Sequence, residues 1–98
     1  MLRIEGPMTF DRAIELRDAV LVALDRQPAL IELDLSVVTE LDSAGVQILL
    51  LAKLTAAARN KALRLAGQSS AVLRTLELLH LSAHFGAPSF VLFDEAFP

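Results

Sequence analysis

Apolar residues return along this chain in two alternating rhythms. Leu2-Arg3-Ile4 reads as a short first strand, closed by Gly6-Pro7. From Asp11 to about Arg26, Ala13, Leu16, Val20, Ala23 and Leu24 recur at helical spacing and predict one core-facing stripe. Thr9 is placed to cap this helix, with Asp11 in its first turn. Gln27-Pro28 ends it, because the residue before a proline disfavours helical backbone. The apolar run Leu30 to Leu35 predicts a second, buried strand, and a short loop leads to a second helix from Ser43 to about Asn60. Ala62 to Ala66 predicts a third strand. A serine of Gly67-Gln68-Ser69-Ser70 is then expected to cap a third helix with Val72, Leu73, Leu76 and Leu79 as its buried stripe. Gly86-Ala87-Pro88 breaks the chain before a last strand, Phe90 to Phe93.

Strand and helix alternate throughout, which predicts an α/β fold with a mainly parallel sheet of about four strands, helices packed against it and right-handed crossovers. Expected core positions include Leu16, Val20, Ile31, Leu33, Leu65, Leu76 and Val91. The second helix departs from the pattern. Val46, Leu50, Leu54 and Ala57 form one apolar stripe and Leu49, Ala52 and Ala56 another, while Ile48 and Leu51 fall outside both. A helix apolar nearly all round is either buried on several sides or partly covered by another protein. At least one of Val46, Ile48, Leu49 and Leu51 is therefore expected to stay accessible.

Composition narrows the picture. Ninety-eight residues make one domain, 1–98, and 54% hydrophobic against 21% charged residues supply an ample core. A net charge of −3, with nine basic residues that never form a run, disfavours a nucleic-acid surface. The chain has no cysteine, hence no disulfide and no thiolate nucleophile, which fits a reducing cytoplasm. The N-terminus lacks the apolar region of a signal peptide, and the run Val46 to Leu54 is too short to cross a bilayer. A soluble, cytoplasmic protein without direct membrane insertion is the expectation.

Candidate chemistry concentrates between Asp34 and Gly45. Ser43 stands at a helix start, where a serine oxygen accepts a backbone N–H. Asp42 fills that role equally well, which would leave the Ser43 hydroxyl outward. Asp34 and Asp42 resemble a paired-carboxylate site, but no His, Lys or Arg lies between Leu30 and Ala52, so hydrolysis has no support. Gly45 alone signals no phosphate loop, as GxxxxGK[ST] and GxGxxG are absent. Its simplest role is close approach of the second helix to the sheet or to a partner. His80 and His84 have a metal-like spacing, but the helix is ending there and no third ligand is near. No catalytic residue, metal or cofactor is expected, and the chain reads as a binding module rather than an enzyme.

The stretch Asp34-Leu35-Ser36-Val37-Val38-Thr39-Glu40-Leu41-Asp42-Ser43-Ala44-Gly45, running into Val46-Gln47-Ile48-Leu49-Leu50-Leu51, resembles the STAS domain. That family occurs in bacterial antagonists of anti-sigma factors and in parts of transporters and signalling complexes. The resemblance runs from about Leu2 to Phe93. It implies that Ser43 is the serine phosphorylated by a partner kinase, and that Asp34, Ser36, Asp42, Ala44, Gly45, Val46, Ile48 and Leu49 form the switch loop and partner surface. It also implies a serine kinase of the anti-sigma-factor type that sequesters a sigma factor, and a phosphatase that resets the switch. A phosphate would bring about −1.5 to −2 charges beside Asp34, Glu40 and Asp42 and release the partner. A second reading makes the chain a small STAS subunit of a lipid-transport or chemosensory assembly. The family usually begins with one more strand and ends with one more helix. Their absence leaves a sheet edge to be met by a partner, a homodimer mate, or local charge such as Arg3 and Glu5.

Overall fold

The computed structural model describes residues 1–81 and Phe85. Its elements are β1 (Leu2–Met8), α1 (Ala13–Arg26), β2 (Leu30–Leu41), α2 (Ser43–Ala58), β3 (Ala62–Gln68) and α3 (Ser70–Leu78), with a 3-10 turn at Phe10–Arg12 before α1. The three strands lie side by side in the order β1-β2-β3 and all run parallel. Two right-handed crossovers that step in the same direction place their helices on the same side of the sheet, and α1 and α2 pack against each other there. The expected final strand and Val91 lie outside the described residues, as does His84.

The core follows the sequence pattern closely. Leu16, Val20 and Leu24 of α1, Ile31, Leu33 and Leu35 of β2, and Leu65 of β3 are buried in one cluster with Leu49, Ala52 and Ala56 of α2, and Ala23 of α1 is buried too. The other face of the sheet carries Arg3, Glu5, Glu32, Asp34 and Arg64. Charges pair across its strands, Arg3 with Asp34 at 3.9 Å and Arg64 with Glu32 at 3.3 Å.

Four elements differ from expectation, each for an identifiable reason. β2 does not end at Leu35 but continues to Leu41. Its pairing with β1 slips between Arg3 and Glu5 and again between Gly6 and Pro7, so β2 carries one extra residue at each place. Each bulge shifts the inward phase by one residue. The buried positions therefore run Ile31, Leu33, Leu35, Val38, Leu41, two apart and then three apart, and the second half lacks the period that marks a strand.

β1 likewise passes through Gly6 and Pro7 to Met8, with Gly6 at φ +78°. Pro7 is tolerated because β1 is an edge strand among the described residues, where its missing N–H removes no partner. The Arg12 guanidinium reaches back to this edge and donates to the carbonyls of Glu5, at 2.8 Å, and Pro7. Local charge thus meets the open edge, but it comes from Arg12 rather than Arg3 or Glu5.

Thr9 does not cap α1. Its hydroxyl donates to Asp11 Oδ1 at 2.6 Å, and α1 begins only at Ala13, after the 3-10 turn. Ser69 does cap α3, accepting from Val72 N at 3.2 Å. In α3 only Val72 and Leu76 of the expected stripe are buried, and Leu73 and Leu79 are exposed. α3 lies beside the second half of β2, past the end of β3. There Ser69 N donates to the Leu35 carbonyl at 3.1 Å and the Thr75 hydroxyl to the Leu41 carbonyl at 3.3 Å. The helix closes with His80 at φ +57° and Leu81 N bonded to the Leu76 carbonyl, a left-handed C-terminal cap. His80 thus stands beyond α3, in keeping with the expectation that the helix ends there.

Candidate functional site

Asp42 is the hub of the site. Leaving β2 in extended conformation, it caps α2: its Oδ1 accepts from Gly45 N at 3.0 Å, and its carbonyl accepts from Val46 N at 3.0 Å. Its Oδ2 accepts from Phe10 N at 3.0 Å, and its own N–H donates to the Met8 carbonyl at 3.3 Å. One residue thus joins the end of β1, the 3-10 turn, the end of β2 and the start of α2. The donors that converge on this carboxylate, Gly45 N–H foremost and Phe10 N–H after it, hold its pKa below the ordinary value of 3.8 against the opposing effect of desolvation.

With the cap supplied by Asp42, Ser43 takes the first helical position. It is exposed, and among the described residues nothing hydrogen-bonds its hydroxyl. Of the two alternatives open at this position, the outward hydroxyl is the one present. The free N–H groups and the positive end of α2 lie beside it.

Gly45 is buried under this turn. A Cβ built there would meet the Met8 carbonyl oxygen, Leu41 Cδ1 at 2.6 Å and Met8 Cβ at 3.0 Å. Only glycine lets α2 approach the two strand ends so closely. Of the two partners left open for this approach, it is the sheet.

The remaining residues of the expected set do not share one loop. Asp34 and Ser36 lie within β2. Asp34 is paired with Arg3 and Leu41 with Met8, so five residues of β1 separate their rows, roughly 16 Å at about 3.3 Å per residue. Asp34 binds locally instead: its Oδ1 accepts from Ser36 N at 2.9 Å. That bond, the Ser36 hydroxyl and, last, Arg3 hold its pKa below 3.8. It neither orients Ser43 nor adds to the charge around it. Within α2, Val46, Ile48 and Leu49 are buried in the core cluster, whereas Ala44 is half-exposed.

The accessible apolar surface lies on the next face of α2. Leu51 is 39% exposed and Leu54 71%, so the expectation of one accessible side chain among Val46, Ile48, Leu49 and Leu51 is met by Leu51. Opposite them stand Phe10, 80% exposed, and Ile14, 70% exposed. Between α1 and α2, Phe10, Ile14 and Leu51 border an open groove of about 420 Å³, which starts at Ala44 beside Ser43 and includes Arg17 and Gln47. Sequence reasoning missed Phe10, Ile14 and Arg17. The available signal was that Phe10 and Ile14 are large, four apart, and off the core stripe of α1.

Among the described residues no three His, Asp or Glu side chains cluster as a metal site, and no helix is long and apolar enough to cross a membrane. The sequence matches the family described as "Mlab, STAS domain" over residues 1–91. The chain belongs to the STAS domain family. Two solved structures share its fold. One is an anti-sigma factor antagonist from Mycobacterium paratuberculosis, 22% identical over 95% of this chain and 77% of that one, with a TM-score of 0.73. The other is a sulfate transporter family protein from Wolinella succinogenes, 25% identical over 86% of this chain and 68% of that one, with a TM-score of 0.70. No curated protein matches the sequence. The STAS domain here keeps its Asp-Ser-Ala-Gly turn at the junction of β1, β2 and α2, with the serine facing solvent.

Proposed function

We propose that this STAS domain is a regulatory protein-binding module of the anti-sigma-factor-antagonist type, non-catalytic, with Ser43 as its phosphorylation switch. The observation that carries this reading is the division of labour at the turn. Asp42 holds the helix, so the adjacent serine is spared that duty and stays open to a kinase. A phosphate on Ser43 would sit at the positive end of α2, where the fold tolerates it. Asp42 and Glu40 flank it with like charge, so the cost falls on a partner docked over the turn. The partner in this reading is a serine kinase of the anti-sigma-factor type in the cytoplasm, with a phosphatase restoring the bound state.

The test is phosphopeptide mapping of the protein from its native host, with binding to the kinase measured for Ser43→Ala and Ser43→Asp. Phosphate on Ser43, constitutive binding by Ser43→Ala and weakened binding by Ser43→Asp are expected. A native protein phosphorylated elsewhere or never, with Ser43→Asp binding as wild type does, overturns the switch. A second reading, a small STAS subunit of a transport assembly, draws on the likeness to the Wolinella succinogenes protein. Constitutive co-purification with a membrane complex, indifferent to Ser43 substitutions, would establish it instead.

A further inference from the structure

The structure points to a docking surface that the family's serine turn does not itself contain. We infer that the groove between α1 and α2 receives an amphipathic helix from a partner protein, with an acidic residue of that helix against Arg17. This rests on the protein-binding reading above and specifies which surface does the binding and what it binds.

Three observations converge. Three exposed large apolar side chains line one trough, Phe10 and Ile14 from the α1 side and Leu51 from α2, and Leu54, also exposed, follows Leu51 three residues further along α2. The trough also has helical spacing. Ala44, Ile48 and Leu51 line it on one side and Phe10, Ile14 and Arg17 on the other, at intervals of three or four residues. A third helix lays its ridges into such a pair of rows, anchored at every third or fourth residue.

Charge selects the occupant. Among the described residues Arg17 is the one charged side chain lining the groove, and no carboxylate of theirs lines it. Arg17 is shared only with its neighbour Asp18, at 3.3 Å, in a pair exposed on both sides, which holds it weakly. A second copy docking through the same patch would set Arg17 against a groove whose described lining carries another Arg17 and no carboxylate. An acidic residue on a foreign helix satisfies it.

The groove is also joined to the serine turn. Ala44 and Gln47 are one and four residues from Ser43 and line the trough, and Asp42 Oδ2 holds the Phe10 N–H at its lip. A partner helix seated here ends beside Ser43.

Two synthetic helical peptides test this, each with leucines at i, i+3, i+4 and i+7, one flanked by glutamate and the other by lysine at the same position. They are titrated into the isotope-labelled full chain by NMR. The glutamate peptide is expected to shift the amides of Ala13, Ile14, Gln47 and Leu51 and to bind about two- to fivefold tighter than the lysine peptide, the worth of one exposed pair. Arg17→Glu should reverse that order, and Ile14→Asp, a change at an exposed position, should abolish both shifts while the spectrum stays folded. Shifts confined to α3 or the charged sheet face, equal binding of both peptides, or no saturable binding up to about 1 mM, the edge of measurable affinity, would overturn the proposal. So would a self-association, measured by sedimentation, that Ile14→Asp abolishes. Groove binding by the glutamate peptide with no effect of Ser43 phosphorylation on the kinase would leave the docking surface standing and remove the switch.

Discussion

Replacing Gly45 by alanine puts a methyl group in place of a hydrogen where α2 presses against the ends of β1 and β2. The new Cβ would press on the Met8 carbonyl oxygen and Met8 Cβ, and on Leu41 Cδ1 at 2.6 Å. The leucine methyl can turn away, but the carbonyl cannot, because it accepts the Asp42 N–H at 3.3 Å and so fixes the end of β1 to the start of α2. Overpacking of this kind costs about 1–3 kcal/mol, and a rigid backbone oxygen puts the cost near the upper end. Against it stands the gain in helix propensity on leaving glycine, at most about 1 kcal/mol. The balance is a loss of about 1–2 kcal/mol, a fall in Tm of roughly 4–8 °C per kcal/mol for a domain of this size. Urea denaturation followed by circular dichroism, with m unchanged, reads it directly. Stability equal to or above wild type would show that α2 does not approach the strand ends as described, and the account of the serine turn built on that approach would fall with it.

Ser43→Ala should leave stability within about 0.5 kcal/mol of wild type, because Asp42 and not Ser43 caps α2; a clear loss in thermal melts would return the serine to a capping role. Asp42 and Asp34 both have folded pKa values depressed below 3.8, so they stabilise the fold fully above that value, and the contribution drains as pH falls from about 4 through the lower folded values. Asp42→Asn should therefore flatten the acid limb of a stability-against-pH curve, and an unchanged limb would refute the assignment. Arg12→Ala should uncover the Glu5 and Pro7 carbonyls on the edge of β1 and promote concentration-dependent self-association in sedimentation, whereas a strictly monomeric variant would show that this edge needs no guard.

The serine turn was legible because its signals are local. An aspartate, a serine and a small residue before a glycine at the start of an apolar run describe a capped helix pressed against a strand, whatever lies around them. The family resemblance drew on the same short stretch. The placement of Asp34 was not legible. Its apparent membership in the serine loop came from reading residues 36–41 as loop, when they are strand.

The alternation of strand and helix determined a parallel α/β fold, and the single-period stripes of α1 and the first half of β2 determined their buried faces. Those properties depend on neighbours within one element, which the sequence displays in order. Tertiary structure alone decided the rest. The two bulges of β2 arise from its register with β1, so its phase changes at places that no local pattern marks. The guard on the edge of β1 comes from Arg12, which the 3-10 turn brings back to the Glu5 and Pro7 carbonyls. For α2, apolar on nearly every side, the pattern left the buried face open. Packing against β2, β3 and α1 chose the face of Gly45, Leu49, Ala52 and Ala56, and left Leu51 to face Phe10 and Ile14 across a groove assembled from α2, the 3-10 turn and α1.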